Sequence, residues 1–136
     1  ISSIAGTRLL LVEDNEGARE MLAGYLELEQ FKIRTAKNGV EAIEIFHEFN
    51  PEICIVDIGL PDLDGFQVAE TMHQGDSCPE LLIALTGYGQ ADDRRRAMEA
   101  GFNLHLVKPV EPEILVKTIL REHSKTKQPR VGETVA

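Results

Sequence analysis

Five polar side chains directly follow short apolar segments of the sequence, at positions where buried strands would end. They are Glu13, Asp14, Asp57, Thr86 and Lys108. Carboxylate oxygens are the ligands that a hard divalent cation prefers, and a lysine ammonium is a compact partner for phosphoryl oxygens. Three acids, one hydroxyl and one ammonium in one place would therefore bind a divalent metal and a phosphoryl group.

Asp57 is the candidate nucleophile of this set. It follows the apolar segment 53–56 and precedes a loop that contains Gly59 and Gly65, which predicts a carboxylate at the mouth of a buried strand. A carboxylate that attacks phosphorus meets a highly negative group, so a cation is needed to offset the repulsion and orient the phosphoryl oxygens. Mg²⁺ suits this role, with Mn²⁺ as an alternative.

Short apolar runs and segments of helical spacing alternate along the chain. The predicted strands are 9–12, 31–36, 53–56, 81–85 and 104–107. Between them, apolar side chains recur at the spacing of one helical face. These predicted faces are Ala18, Met21, Leu22, Tyr25 and Leu26; Ala42, Ile45, Phe46 and Phe49; Phe66, Val68, Ala69 and Met72; Ala97 and Met98; and Leu115, Val116, Ile119 and Leu120. Pro112 is predicted to lie in the first turn of the last helix.

Five strand-helix units predict an α/β fold with a five-stranded, parallel, doubly wound sheet. A closed arrangement of eight such units needs roughly 250 residues, and this chain has 136. In an open sheet of this kind, ligands bind beyond the carboxyl ends of the strands, where the strand order reverses. The five polar side chains are expected at that edge.

The composition is that of one globular domain, with 43% hydrophobic and 27% charged residues. No apolar run approaches the roughly 18 residues of a membrane span, so no direct membrane contact is expected. A net charge of −9 disfavours direct binding to nucleic acid, although a solvated acidic surface is its simplest meaning. Cys54 and Cys78 form no CxxC pair, which predicts a reducing, cytoplasmic location.

Four segments, in this order, resemble the receiver domain of two-component response regulators and hybrid histidine kinases. They are Glu13-Asp14-Asn15, Asp57 with Leu60-Pro61-Asp62-Leu63-Asp64-Gly65, Leu85-Thr86-Gly87 and Val107-Lys108-Pro109. The resemblance covers residues 7–123 and implies a flavodoxin-like (βα)5 receiver fold. A leader over 1–6 and a polar tail over 124–136 would flank this domain. The start at Ile1 rather than Met favours a domain excised from, or fused within, a longer chain.

The resemblance implies a phosphorylation-dependent switch of a two-component or phosphorelay system. Asp57 would accept the phosphoryl group from a histidine kinase or a histidine phosphotransfer domain. Asp14 and Asp57 would bind Mg²⁺ directly, the backbone carbonyl of Gly59 would be a third ligand, and Glu13 would act through bound water. Lys108 would contact a phosphoryl oxygen, and would pair with Asp57 before phosphorylation.

Signalling would run from Asp57 through Thr86 to the surface formed by the fourth helix, the fifth strand and the fifth helix. A second copy of the chain or an output domain would dock there. His105 stands where the family has Tyr or Phe, three residues before Lys108, so an imidazole would take the role of the ring that moves inward. The family also implies a cis peptide bond between Lys108 and Pro109.

Simpler interpretations exist for each of these residues. Glu13 and Asp14 would also favour the N-terminus of the following helix, since anions stabilise that end. Lys108 would be an ordinary surface lysine. Thr86 and His105 would be ordinary strand residues.

Two rival functions differ from a phosphorylated switch. An aspartyl-phosphate-type, Mg²⁺-dependent phosphohydrolase also uses an aspartate nucleophile, but it needs a second Asp two residues on, where this chain has Gly59. A non-phosphorylated, receiver-like interaction module would lack the acceptor, the acids or the lysine, and none is missing. Gly59 has no side chain that could shield an acyl phosphate from water. Tyr88, two residues after Thr86, is expected to provide this shielding instead. The chain is therefore not expected to be an enzyme. Its own activity would be limited to accepting a phosphoryl group and slowly hydrolysing it.

Overall fold

The computed structural model of the chain describes residues 5–75, 78–87 and 91–127. Within these ranges, strands and helices alternate along the chain. The strands are β1 (Arg8–Val12), β2 (Lys32–Ala36), β3 (Ile53–Asp57), β4 (Leu81–Thr86) and β5 (Leu104–Val107). The helices are α1 (Glu16–Leu28), α2 (Gly39–Phe49), α3 (Gly65–Gln74), α4 (Ala91–Ala100) and α5 (Pro112–Lys127).

All strand pairs of the sheet are parallel, and the strand order is β2-β1-β3-β4-β5. The chain passes from β1 to β2 on one side and then crosses to β3 on the other side of β1, so the order reverses between β1 and β3. Val12 pairs with Val56 at this point, which brings the residue after β1 beside the last residue of β3. The predicted five-stranded, doubly wound parallel sheet is confirmed, and its ligand-binding edge lies here.

The sheet has a hydrophobic core on each face, because alternate strand residues point in opposite directions. Leu9 and Leu11 pack in one core with residues of α1 and α5. Leu10 and Val12 pack in the other core with residues of α2, α3 and α4. β3 and β4 are buried along their whole length, as expected for parallel strands that helices cover on both sides. The strands that carry the polar residues are thus held on both faces.

Three side chains on the predicted apolar helical faces lie at the surface instead. Met21, Met98 and Leu120 are 50%, 53% and 36% exposed. Their spacing matches a buried stripe, but each lies at the edge of its stripe, where periodicity alone does not separate core from surface. α4 therefore contributes mainly Ala97 and Ala100 to its core. Among the side chains of α4 that the structure describes, few pack in a hydrophobic core.

The last helix begins at Pro112, as predicted, but it ends later than expected. It runs to Lys127 and so includes residues 124–127, which the sequence assigns to a polar tail. These four residues contain neither glycine nor proline. Two of them are lysines, which form helices readily and are favoured near a helix C-terminus. Polarity alone is a poor marker of where such a helix ends.

Candidate functional site

Two neighbouring strand ends bring three carboxylates together. β1 leads into Glu13 and Asp14, and β3 ends at Asp57. Carboxylate oxygens from these residues all lie within 4.8 Å of one another. Glu13 and Asp57 are buried, at 1% and 5% exposed, whereas Asp14 faces solvent. The cluster is therefore open to ligands on the side of Asp14.

Lys108 supplies the positive charge of this cluster. Its Nζ lies 2.7 Å from Asp57 Oδ2 and 2.8 Å from Glu13 Oε1. Its backbone amide donates to the carbonyl of Thr86 at 2.7 Å, which holds the residue against the end of β4. The Lys108-Pro109 peptide bond is cis. Lys108 is not an ordinary surface lysine, because its ammonium bridges two buried carboxylates.

The backbone around Asp57 fixes the direction of its carboxylate. The amide of Gly59 donates to Asp57 Oδ1 at 2.9 Å, so each carboxylate oxygen of Asp57 has a partner. The amide of Gly65 donates to the carbonyl of Ile58 at 3.0 Å, which folds the loop back over the end of β3. A Cβ at Gly65 would lie 2.5 Å from Ile58 Cα and 2.9 Å from the carbonyl oxygen of Asp57. Only glycine fits where α3 begins against this backbone.

Burial and ion pairing oppose each other in setting the pKa values of Glu13, Asp57 and Lys108. Burial raises the pKa of Glu13, and the hydrogen bonds from Lys108 and the Asn15 amide only partly oppose it. Burial would also raise the pKa of Asp57, but the bonds from Lys108 and Gly59 outweigh it and lower that pKa. Burial opposes the charge on Lys108, yet its bonds to Asp57 and Glu13 raise its pKa. Asp57 is therefore held in its carboxylate form.

Asn15, and not the acidic pair before it, caps α1. Its side chain accepts a hydrogen bond from the Ala18 amide at 2.8 Å. Glu13 Oε2 accepts from the Asn15 amide at 3.1 Å, and Arg19 donates to the Glu13 carbonyl at 3.0 Å. The N-cap residue of α1 is thus Asn15 rather than Glu13 or Asp14. The Glu13 carboxylate is directed at Lys108 instead.

Thr86 and His105 form a contact one strand further along the sheet. Thr86 ends β4 and is completely buried, and its Oγ1 lies 2.9 Å from His105 Nε2 on β5. His105 is half-buried and lines a surface pocket with residues of α4, among them Arg94 and Met98. The partner that the structure gives the Thr86 hydroxyl is thus an imidazole, and that imidazole reaches the surface.

Two acids in the loop after Asp57 have structural roles that the sequence analysis does not assign. Asp62 accepts hydrogen bonds from the amides of Gly39 and Val40 at 2.7 and 2.9 Å, so it ties the loop to the start of α2. Asp64 caps α3 through a reciprocal pair of bonds with Gln67. The spacing from Asp64 to Gln67 is a recognisable capping box. The bond to α2 joins residues 23 positions apart, and no local pattern predicts it.

The donor set of the cluster fits a hard divalent cation. It consists of carboxylate oxygens, which Mg²⁺ prefers, and Asp14 keeps one side open for water or phosphoryl oxygens. Gly59 is exposed beside Asp57, where its carbonyl is the predicted backbone ligand. Tyr88, the residue expected to shield the site from water, lies outside the described residues.

No helix in the described ranges is long and apolar enough to span a membrane.

Comparisons with known proteins agree on one family. The family model of the response regulator receiver domain matches residues 9–120. The transcriptional regulatory protein SrrA of Staphylococcus aureus is 36% identical over 121 residues, which are 87% of this chain and 49% of that protein. The chain therefore spans about half the length of this curated relative.

Two solved structures extend the comparison to the fold. A putative response regulator from Chloroflexus aurantiacus is 29% identical, with a TM-score of 0.81 over 88% of this chain and 98% of that one. The receiver domain of the Saccharomyces cerevisiae response regulator Ssk1, solved with the histidine phosphotransfer protein Ypd1, is 27% identical. Its TM-score is 0.83 over 94% of this chain and 96% of that chain. With the acidic cluster at the predicted sheet edge, these matches show that the chain belongs to the receiver domain family of response regulators in two-component signalling.

Proposed function

We propose that Asp57 accepts a phosphoryl group from a phosphohistidine, with Mg²⁺ held by Asp14, Asp57 and the Gly59 carbonyl. The observation that carries the proposal is the position of Lys108 Nζ, within 2.8 Å of two buried carboxylates. A lysine so placed compensates their charge in the resting state. It is also poised to contact a phosphoryl oxygen once one is present.

The chemistry is an in-line displacement at phosphorus. An oxygen of Asp57 forms the new O–P bond while the P–N bond to the donor histidine breaks, and the leaving imidazole takes up a proton. The bound cation would offset the repulsion between the carboxylate and the phosphoryl oxygens. The amide of Gly59 and the ammonium of Lys108 orient the attacking carboxylate beforehand, so little reorganisation is needed.

Glu13 is proposed to act on the cation through water rather than as a direct ligand. Its carboxylate is turned toward Lys108 and the Asn15 amide, which occupy both of its oxygens. Asp14 has the exposed position that a direct ligand of an open site needs. When Lys108 moves to a phosphoryl oxygen, Glu13 loses its ion pair, and a nearby cation would replace that positive charge.

The donor is proposed to be a histidine kinase or a histidine phosphotransfer protein. Support comes from the Ssk1 receiver domain, whose structure was determined with a histidine phosphotransfer protein. The output is proposed to pass through the face of α4, β5 and α5. This face carries exposed apolar side chains that a second copy of the chain or an output domain would cover, namely Met98, Val107, Ile114 and Leu120.

A phosphohydrolase is the second candidate, and the geometry around Asp57 favours it less. The position two residues after the nucleophile is Gly59, which has no carboxyl to protonate a leaving group. The chain's own activity is therefore proposed to be limited to acceptance and slow hydrolysis of its phosphoryl group. Steady turnover of an aryl phosphate that depends on Asp57 would favour the phosphohydrolase instead.

Beryllofluoride, which mimics a phosphoryl group on aspartate, tests the site directly. With Mg²⁺ present, the ¹⁹F spectrum of wild type should show one bound beryllofluoride species, and omission of Mg²⁺ should remove it. Asp57→Asn should show none. Asp64→Asn is the matched control, because asparagine caps a helix as well as aspartate does, so it should bind as wild type does. Equal binding by Asp57→Asn would overturn the assignment.

A further inference from the structure

A second cluster of metal-ligating side chains lies at the opposite end of the sheet from Asp57. Glu52 directly precedes β3, Glu80 directly precedes β4, and His123 lies on α5. Oxygen and nitrogen atoms of these three residues lie within 4.8 Å of one another. Nothing in phosphoryl transfer to Asp57 uses them, since they lie at the amino ends of the strands.

The imidazole is buried and directed at both carboxylates. His123 is 1% exposed, and its Nε2 lies 3.6 Å from Glu80 Oε2 and 3.9 Å from Glu52 Oε2. These distances are longer than hydrogen bonds. They are close to the separation of about 3.3–3.6 Å between two ligands that each lie about 2.0–2.2 Å from a tetrahedral metal. A small turn of the Glu52 side chain would complete the match.

The backbone holds the two glutamates in place. The carbonyl of Glu52 accepts from the amides of Glu80 and Leu81 at 2.8 and 3.1 Å, so the two strand starts are tied together. Arg8 Nη1 lies 3.4 Å from Glu52 Oε1, which leaves Oε2 as the oxygen directed toward His123. The arginine also offsets part of the negative charge of the two glutamates when no cation is bound.

We propose that Glu52, Glu80 and His123 form a binding site for a divalent transition metal such as Zn²⁺. Imidazole nitrogen favours Zn²⁺ over Mg²⁺, which prefers oxygen ligands alone. Glu80 is exposed, so the metal can enter from solvent and keep a water ligand. The ion would clamp the end of α5 to the starts of β3 and β4. It would stabilise the domain without touching the phosphorylation site.

The test is a Zn²⁺ titration of the whole chain by calorimetry, with Mg²⁺ in excess to occupy the acidic cluster at Asp57. Wild type should bind one Zn²⁺. His123→Gln and Glu80→Gln should each weaken binding by more than about tenfold, because even partners outside the ligand set change metal affinity by about 10–100-fold. Co²⁺ in place of Zn²⁺ should give visible absorption bands that His123→Gln removes.

One control and a choice between two ligand variants make the result decisive. Cys78→Ala removes a competing ligand pair, because Cys78 Sγ lies 2.8 Å from His73 Nδ1, and it should leave Zn²⁺ affinity unchanged. Glu80→Gln changes an exposed side chain and should keep the fold if His123→Gln does not. Absence of a Zn²⁺ site under excess Mg²⁺ would overturn the proposal. So would unchanged affinity in Glu80→Gln, or loss of the site in Cys78→Ala.

Discussion

The hydroxyl of Thr86 and the imidazole of His105 are 2.9 Å apart, and they join the buried end of β4 to a surface pocket beside α4. Thr86 is one strand away from Asp57, because Asp57 pairs with Leu85. A phosphoryl group on Asp57 would compete with His105 for the Thr86 hydroxyl. Under the proposed function, phosphorylation of Asp57 would therefore change the position of a residue that lines the α4–β5 surface.

Removal of the hydroxyl should uncouple the surface from the acceptor. In wild type, beryllofluoride with Mg²⁺ should shift amide resonances most strongly over residues 86–108. In Thr86→Val, binding should persist while the shifts shrink to the neighbours of Asp57, because nothing then draws on His105. The measurement is a pair of amide spectra for each protein. Thr71→Val, which removes a hydroxyl on α3, is the control. Undiminished shifts over residues 91–108 in Thr86→Val would contradict the coupling.

Mg²⁺ should stabilise the folded chain through Asp14. A ligand at ten times its dissociation constant adds about 1.4 kcal/mol to the free energy of unfolding, so a rise in Tm is expected at roughly millimolar Mg²⁺. Asp14→Ala should lose nearly all of this rise, because it removes the exposed ligand of the cluster. Glu16→Gln changes an exposed acid two residues away and should respond as wild type does. A full Mg²⁺ response in Asp14→Ala would place the metal elsewhere.

Lys108→Met should destabilise the metal-free chain by about 1–3 kcal/mol, the cost of leaving buried polar groups without a partner. The expected loss is smaller than the roughly 3–5 kcal/mol of a fully buried pair, since water reaches Lys108. Mg²⁺ should recover part of the loss, because it supplies the missing positive charge to Glu13 and Asp57. Denaturant unfolding with and without Mg²⁺ measures both effects. Lys117→Met, at an exposed i,i+4 pair, should be nearly neutral.

Acidification should weaken Mg²⁺ binding at a higher pH than ordinary carboxylates would require. The folded pKa of Glu13 is raised above 4.5, so folding favours its protonated form, and its contribution to stability grows as the pH falls through that pKa. A protonated Glu13 no longer attracts the cation. The contribution of Asp57 to stability changes with pH in the opposite direction. Its pKa is lowered from 3.8, and its stabilising contribution is lost only as the pH falls through that lower value.

Calorimetric titrations with Mg²⁺ at several pH values between about 4 and 7 would resolve the two groups. Glu13→Gln should move the loss of affinity to lower pH, since the carboxyl with the raised pKa is then absent. The expectation fails if wild type and Glu13→Gln lose affinity over the same pH range.

The sequence predicts the sheet, and the edge of the sheet at which the site lies, because both depend on local patterns. Apolar runs such as 53–56 mark buried strands, and a polar residue directly after such a run must lie at a strand end. The polar ends of parallel strands share one edge, so the cluster at Asp57 follows from topology. The start of α5 was equally predictable, because Pro112 fits the first turn of a helix.

Features that depend on contacts between distant residues could not be predicted in this way. Asp62 bonds to the start of α2, and the exposure of Met21 depends on how α1 packs. His123 lies on α5 and reaches Glu52 and Glu80 only because the sheet brings two strand starts beneath that helix. No spacing in the sequence marks these three residues as a group.

Phosphorylation by acetyl phosphate tests the central claim most directly. With Mg²⁺, intact mass spectrometry of wild type should show one added phosphoryl group, and fragmentation should place it on the peptide that contains Asp57. Asp57→Asn should remain unmodified, and Asp64→Asn should be modified to the wild-type level. Wild type that stays unmodified with Mg²⁺, or Asp57→Asn modified as fully as wild type, would contradict Asp57 as the phosphoryl acceptor.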